Sequence, residues 1–157
     1  MRPALRVAAL GVAAVAAAGC GYAFSTRWTG KGGAERVDVR PIENLSTEPG
    51  LGPVMTDALR TAVARRGASG DGVGRLEGEV RARAPAPSSQ GGATWTIGVQ
   101  LKARLVVDGR VTAEGTFARD GEYLSGADPV ETEGRRALAL RRLADEVALE
   151  VLAAFER

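Results

Sequence analysis

Apolar and polar residues alternate along three segments in the middle of the chain, at 75–84, 95–107 and 111–117. A period of two is typical of strands with one buried and one exposed face. We therefore expect three consecutive strands, with the turn pair Asp108-Gly109 between the last two. A shorter alternation at Val37 and Val39 predicts an earlier strand, which ends at Pro41 because proline has no amide donor.

The alternation also predicts the register of the last hairpin. A two-residue loop would pair Val107 with Arg110 and set apolar residues against polar ones. A three-residue loop over 107–109 avoids this mismatch and places Gly109 at the left-handed position of a G1 bulge. The pairs predicted by that loop are Leu105 with Val111, Ala103 with Ala113, Val99 with Phe117 and Lys102 with Glu114.

Two segments repeat apolar residues every three or four positions, which is the rhythm of an amphipathic helix. The first is 51–66, followed by Gly67 at the left-handed cap position. The second starts at Asp128-Pro129, with Glu131 placed to complete a capping box, and runs to the end of the chain. Its apolar stripe consists of Leu140, Leu143, Val147, Val151 and Phe155.

The predicted order is strand, helix, three strands, helix. One-sided strands and one-sided helices bury their apolar faces against each other. We therefore predict an α+β two-layer sandwich with an about four-stranded, mainly antiparallel sheet and two helices on one face. Leu59 and Leu143 are expected to be buried between the layers.

The N-terminus has the layout of an export signal. Arg2 and Arg6 precede the apolar run 7–18, which is shorter than the roughly twenty residues of a membrane-spanning helix. Small residues then lead to Cys20, as in the lipobox of bacterial lipoproteins, although alanine stands where leucine is commonest. The alternative is an ordinary cleaved signal with an incidental cysteine. Against it, Cys20 is the chain's single cysteine and has no disulfide partner within it.

These features divide the chain into a lipoprotein signal peptide, a tether that begins with lipidated Cys20, and one domain, at 1–19, 20–34 and 35–157. The formal net charge is +2. Removal of the signal takes away Arg2 and Arg6, so the mature chain is neutral. A neutral chain argues against nucleic-acid binding, which needs a basic face.

The residue content also limits the chemistry. The chain has no histidine, and its cysteine is assigned to lipid. Nucleophile systems built on histidine and the usual zinc sites are thereby excluded. Glu77 and Glu79 form a carboxylate pair, but arginines share their strand face, which favours a solvated, charge-balanced surface. We expect no enzyme activity, no catalytic residue, no metal and no cofactor.

The remaining candidate is the polar face of the sheet. Its basic residues are Arg75, Arg81, Arg83, Lys102 and Arg104, of which the last four are the candidate contact residues for an anionic ligand or a partner. Clustered cations of this kind bind phosphate groups or the polar wall of a partner. The alternative is that they are ordinary exposed strand positions.

The segment from Cys20-Gly21-Tyr22 through residue 67 resembles the LPS-assembly lipoprotein family LptE. Members open with a lipidated Cys-Gly-Tyr and continue with a Val-x-Val strand, an Asn and Thr turn, and a Leu-Thr-x-Ala-Leu helix. The corresponding positions here are Val37, Val39, Ile42, Asn44, Thr47, Leu51, Thr56, Asp57, Ala58 and Leu59. The order of later elements also fits, although these residues serve turns and packing and not chemistry.

The resemblance implies a lipoprotein of the outer membrane, anchored by its acylated (palmitate-bearing) cysteine on the periplasmic side. It implies a role in cell envelope biogenesis, with an LptD-like β-barrel and lipopolysaccharide as partners, for which the four residues named above are the candidate contacts. Gly21 after the lipidated cysteine agrees with sorting to the outer membrane. The family's lipopolysaccharide-contacting residues have no counterparts that align here. The alternative is another periplasm-facing lipoprotein, a cofactor of an envelope enzyme such as a peptidoglycan synthase or of a curli-type secretion channel.

Overall fold

The computed structural model of the protein describes residues 27–88 and 93–157. Within these ranges the chain forms five strands and two helices. They are β1 (Val37–Val39), β2 (Glu43–Asn44), α1 (Leu51–Arg65), β3 (Gly74–Pro87), β4 (Thr94–Val107), β5 (Arg110–Leu124) and α2 (Pro129–Phe155). The two-layer α+β sandwich is confirmed. The predicted signal peptide and Cys20 lie outside the described residues.

The sheet is a long antiparallel meander with short parallel strands at one edge. Its order is β1-β3-β4-β5, and β2 also pairs with β3, so that both short strands run parallel to β3. The two-residue strand β2 was not expected, because it is too short to show an alternation. Strand β3 continues to Pro87, beyond the predicted end at Ala84.

Helix α1 is joined to the preceding loop by a buried threonine. The Thr56 hydroxyl accepts a hydrogen bond from the Ile42 amide at 2.9 Å and donates one to the Gly52 carbonyl at 2.8 Å. The helix ends as predicted, since Gly67 has a φ of 65°. Such a left-handed residue closes the last turn and costs glycine little.

The core lies between the helices and one face of the sheet. Leu59 and Leu143 are buried there as predicted, and they belong to one apolar cluster that takes residues from every strand except β2 and from both helices. The period of two places Leu76 and Val80 of β3 on this inner face. The charged residues between them lie on the opposite face of the sheet.

The start of α2 is capped as the sequence predicts. Asp128 accepts a hydrogen bond from the Glu131 amide at 2.8 Å, and Glu131 accepts one from the Ala127 amide at 2.7 Å. The bond from the Ala127 amide, followed by hydrogen bonding and charge from Arg135, lowers the pKa of Glu131 below its usual value. The ionised carboxylate thus stabilises the positive end of the helix dipole.

The β4–β5 turn differs from the prediction. Val107 pairs with Arg110, so the connection is a two-residue loop. Asp108 and Gly109 have φ values of 50° and 76°, the positive values of a type I′ turn. The predicted three-residue loop is therefore wrong.

A β-bulge at Thr112 corrects the mismatch that a two-residue loop creates. The register shifts between Leu105 and Val106, and Thr112 has no partner in the ladder. The pairs beyond it are Leu105 with Ala113, Ala103 with Gly115 and Leu101 with Phe117, in place of the predicted ones. The Thr112 hydroxyl instead donates to the Lys31 carbonyl at 2.9 Å. Alternation alone did not reveal this contact from a distant segment.

Residues 27–34, which the sequence places in the tether, pack on the domain. The Trp28 side chain is buried, and its indole N–H donates to the Leu152 carbonyl at 3.0 Å. The Lys31 amide donates to the Phe155 carbonyl at 2.8 Å. This segment therefore holds the last turn of α2, and the ordered domain begins before the predicted boundary at residue 35.

Candidate functional site: the polar sheet face

The polar sheet face is the side of β3, β4 and β5 turned away from the helices. It carries five basic and five acidic residues: Arg75, Arg81, Arg83, Lys102 and Arg104, with Glu77, Glu79, Glu114, Asp120 and Glu122. All four basic residues singled out from the sequence are on it. The balance of opposite charges means that the face is polar without being a basic patch.

Arg104 and Glu77 form the best-defined pair on this face. They are directly opposed in the β3–β4 register, and the guanidinium Nε and Nη2 lie 3.0 and 2.9 Å from one carboxylate oxygen. The Arg75 Nε is 3.9 Å from the other oxygen. The guanidinium of Arg104 is therefore already paired with a residue of the neighbouring strand, and an anionic ligand has to compete with Glu77 for it.

Arg83 and Asp120 pair across an intervening strand. Both are opposed to Gly98 of β4, one from β3 and one from β5. Their side chains meet over the glycine, with Arg83 Nη1 2.8 Å from Asp120 Oδ1. A Cβ at position 98 would lie 2.3 Å from that oxygen, so the pair needs glycine there.

Lys102 and Arg81 complete the set. Lys102 is opposed to Thr116 and not to Glu114 as predicted, yet its ammonium reaches the Glu114 carboxylate diagonally at 3.1 Å. Arg81 forms no ion pair within 4 Å among the described side chains, and it is exposed. Of the four predicted contact residues, Arg81 is thus the one whose charge is directly available to a partner.

A cleft of about 370 Å³ lies on this face, between the β1–β2 connection and β4. Its lining is mostly charged and includes Arg40, Glu43, Glu79 and Lys102. In residues 27–88 and 93–157, no group of three or more acidic or other ligand side chains is arranged to hold a metal ion. The arrangement is suited to exchanging ion pairs with a polar surface.

A buried ion pair that the sequence analysis missed joins the loop before α1 to α2. Glu48 is 7% exposed and contacts Arg136, which also pairs with Glu133 at 3.1 Å. The Glu48 carbonyl accepts from the Asn44 side-chain amide at 2.7 Å. No local pattern connects positions 88 residues apart, so only the tertiary structure identifies this pair.

The helical side carries a separate cleft, of about 700 Å³, between the end of β5 and α2. Leu124 and Leu138 line it and are more than half exposed. Arg135 and Arg142 also line it. No helix in the described part of the chain is both long and apolar enough to cross a membrane.

Solved structures of other proteins have a similar two-layer sandwich fold. A protein from Caulobacter crescentus CB15 assigned to the lipoproteins is similar with a TM-score of 0.57 and 17% identity, over 72% of this chain and 85% of that one. A PelC dodecamer from Paraburkholderia phytofirmans gives a TM-score of 0.55 and 17% identity, over 82% and 92%.

A DUF330 protein from Xanthomonas campestris gives a TM-score of 0.53 and 16% identity, over 74% and 81%. No family model matches the chain. No curated protein matches it either. At these identities the similarity establishes the fold. It is a fold that lipoproteins use, and it does not single out the LptE family.

Proposed function

We propose that this chain is a lipoprotein of the outer membrane, anchored through Cys20 on the periplasmic side, that assists an LptD-like β-barrel in assembly and in delivering lipopolysaccharide to the cell surface. In this proposal it acts by binding and has no enzyme activity. The observation that carries the proposal is the combination of the Cys20-Gly21-Tyr22 opening with the LptE-like segment that follows.

The placement of the LptE-like residues supports the proposal. Val37 and Val39 are buried in β1, and Leu59 is buried in α1. Thr56 joins α1 to the loop that follows β1 through its hydrogen bond to Ile42. Among the described residues, those that carry the resemblance therefore form one strand–turn–helix unit, as a shared folding unit requires.

The polar sheet face supports the choice of partner. The helices use the apolar face of the sheet to make the core, so the charged face stays available. Barrel interiors are polar and wet, and they suit a surface of this composition. Charged contacts of this kind fix orientation more than they add stability, because exposed ion pairs contribute about 0–1 kcal/mol.

Co-purification from outer membranes in mild detergent tests the proposal. The variant Arg81→Glu/Lys102→Glu changes the polar sheet face, and Arg141→Glu/Arg142→Glu makes the same charge change on α2. We expect the first variant to keep its Tm within a few degrees and to lose barrel or lipopolysaccharide binding. Full binding by a folded first variant, or loss only in the second, would move the contact surface elsewhere.

One further double variant separates charge from geometry. In Lys102→Glu/Glu114→Lys the cross-strand ion pair is kept with its ends exchanged. If a partner reads the position of each charge, this variant binds weakly although it is as stable as the wild type. If only the number of charges matters, it binds normally.

A second function is favoured by one observation, the similarity to a PelC dodecamer. In this alternative the chain is a periplasm-facing lipoprotein that serves an envelope enzyme or secretion channel as an oligomer. Light scattering on the purified, detergent-solubilised protein separates the two. A large closed oligomer without any barrel favours the alternative, and a one-to-one complex with a barrel favours the first proposal.

A further inference from the structure

One end of the molecule brings together four segments that are far apart in sequence. This hairpin end consists of residues 27–36, 65–73, 108–111 and 156–157. The contacts that join them are Arg157 N to Thr29 O at 2.9 Å, Asp108 N to Val73 O at 3.4 Å and Arg66 Nη1 to Glu156 Oε2 at 3.5 Å. The end is thus a continuous surface, and the described chain enters the domain through it at Arg27.

The hairpin end is more basic than the rest of the protein. It has seven basic side chains and four acidic ones, although the mature chain as a whole is neutral. The basic residues are Arg27, Lys31, Arg36, Arg65, Arg66, Arg110 and Arg157. The remainder of the mature chain therefore has an excess of three acidic residues, and the charge is polarised along the molecule.

Two apolar side chains are exposed at the same end. Val73 is 58% exposed and Val111 is 55% exposed. They flank the β4–β5 turn, because the Val73 carbonyl accepts from Asp108 and Val111 follows Arg110 directly. Exposed valines set among arginines make an amphipathic surface, which is the composition that membrane interfaces favour.

We propose that the hairpin end is a membrane-contact surface that rests on anionic phospholipid headgroups of the leaflet holding the lipid anchor. The proposal depends on the acylation of Cys20. Between Cys20 and Arg27 the chain spans at most roughly 25 Å, so the anchor keeps the hairpin end near the bilayer. The opposite end, with the cleft beside Leu124, then points away from the membrane.

The charge of the end determines which lipid it favours. An anionic headgroup layer attracts each nearby arginine or lysine with about 1 kcal/mol, or roughly fivefold in binding. Lys31 is partly used within the protein, because its ammonium donates to the Ala154 carbonyl at 2.8 Å. Arg65 and Arg110 are exposed and form no ion pair among the described side chains, so they are free to meet lipid.

Vesicle binding by the non-acylated mature chain, residues 20–157 with Cys20→Ser, tests this. The vesicles contain phosphatidylethanolamine with phosphatidylglycerol, or phosphatidylcholine alone, and binding is measured by co-sedimentation. We expect binding to the anionic vesicles only, with a loss as salt rises from about 0.1 M to about 1 M. Equal binding to both vesicle types, or none to either, overturns the proposal.

Charge-reversed variants locate the surface. Arg65→Glu/Arg110→Glu should weaken binding to anionic vesicles at least twentyfold, because two contributions of about fivefold are lost. Arg141→Glu/Arg142→Glu makes a charge change of the same size, and Arg141 lies about 21 Å along α2 from the end of that helix at Phe155. This variant should bind like the parent protein. If both variants lose binding equally, the net charge is responsible and the hairpin end is not the contact surface.

A third variant, Val73→Ser/Val111→Ser, tests the apolar part. This variant should bind anionic vesicles severalfold more weakly, with an unchanged salt dependence. Unchanged binding would show that the two valines do not contact the membrane. Barrel co-purification from outer membranes is measured on the same variants made in the chain that keeps Cys20. If Arg65→Glu/Arg110→Glu loses vesicle binding but still co-purifies with a barrel, the two surfaces are separate. If the non-acylated parent protein binds anionic vesicles and the wild type co-purifies with no barrel, the proposed partner is wrong and the membrane-contact surface is supported.

Discussion

Arg83 and Asp120 form an ion pair of 2.8 Å that bridges two strands of the sheet over the backbone of a third. The residue beneath them is Gly98, and its missing side chain makes the contact sterically accessible. This relationship distinguishes two glycines, Gly78 and Gly98, each of which interrupts an alternating strand.

We predict that Gly98→Ala is tolerated and Gly78→Ala is not. The new methyl at 98 displaces a carboxylate oxygen that is free to rotate, which costs less than about 1 kcal/mol. At 78 it would lie 2.4 Å from the Lys102 carbonyl, which belongs to the backbone, and overpacking of this kind costs about 1–3 kcal/mol. Urea unfolding measures both. Equal losses would show that the strands move apart at Gly78.

The core predicts a large loss at two leucines. Leu59→Ala and Leu143→Ala should each lower the free energy of unfolding by about 2–5 kcal/mol, because both side chains are buried where the helices meet the sheet. Leu138 on the same helix as Leu143 is 65% exposed, so Leu138→Ala is the control and should change little. Losses below about 0.5 kcal/mol at both buried positions would contradict the assignment of the helical faces.

The segment before β1 is part of the domain, and Trp28 tests this. Trp28→Ala should cost about 3–5 kcal/mol, since the ring is 1% exposed in the core. Trp28→Phe keeps most of the apolar area and loses the hydrogen bond to Leu152, so it should cost about 1 kcal/mol. The exposed neighbour Arg27→Ala is the control. If Trp28→Ala is as stable as Arg27→Ala, the segment belongs to the tether and not to the domain.

The lowered pKa of Glu131 predicts a pH-dependent helix start. A carboxyl whose pKa is lower in the folded protein stabilises it above the usual pKa near 4.5, and this stabilisation is lost as the pH falls through the lowered value. Wild type should therefore have a higher Tm than Glu131→Gln at pH 6, and the difference should vanish in strong acid. A difference that persists in strong acid would mean that the charge of Glu131 is irrelevant.

Anchoring predicts a biochemical change at Cys20. Cys20→Ser should abolish acylation and leave the precursor uncleaved or the protein free in the periplasm. Mass spectrometry of the purified protein measures the acyl mass directly. Unmodified thiol on the mature wild type would eliminate the lipoprotein interpretation, and with it the proposed function.

Most of the secondary structure could be predicted from the sequence, because the apolar residues of each longer element repeat with the period of a helix or of a strand. The stripe from Leu140 to Phe155 gave α2, and the Asp128 cap marked its start within one residue. The location of the candidate face was readable for the same reason, since a period of two assigns Arg81, Lys102 and their neighbours to one side. Local sequence also supplied the closing glycine of α1 at Gly67.

Apart from Lys102 with Glu114, the ion pairs on that face could not be predicted from the sequence. Glu77 was set beside Arg104 by register and Asp120 beside Arg83 by the gap at Gly98, and neither follows from the order of residues along one strand. The sequence therefore identified four basic candidates. In the structure three of them form ion pairs, and Arg81 is the one without an ion pair among the described side chains.

The sequence by itself determined the two layers, the helix ends and the polar face, because short-range periodicity and capping depend on neighbouring residues. Only the tertiary structure decided the bulge at Thr112, the packing of Trp28 under α2, the Glu48–Arg136 pair and the basic hairpin end. Each of these depends on segments far apart in the chain. These contacts form only when the whole chain has folded, so no local sequence pattern predicts them.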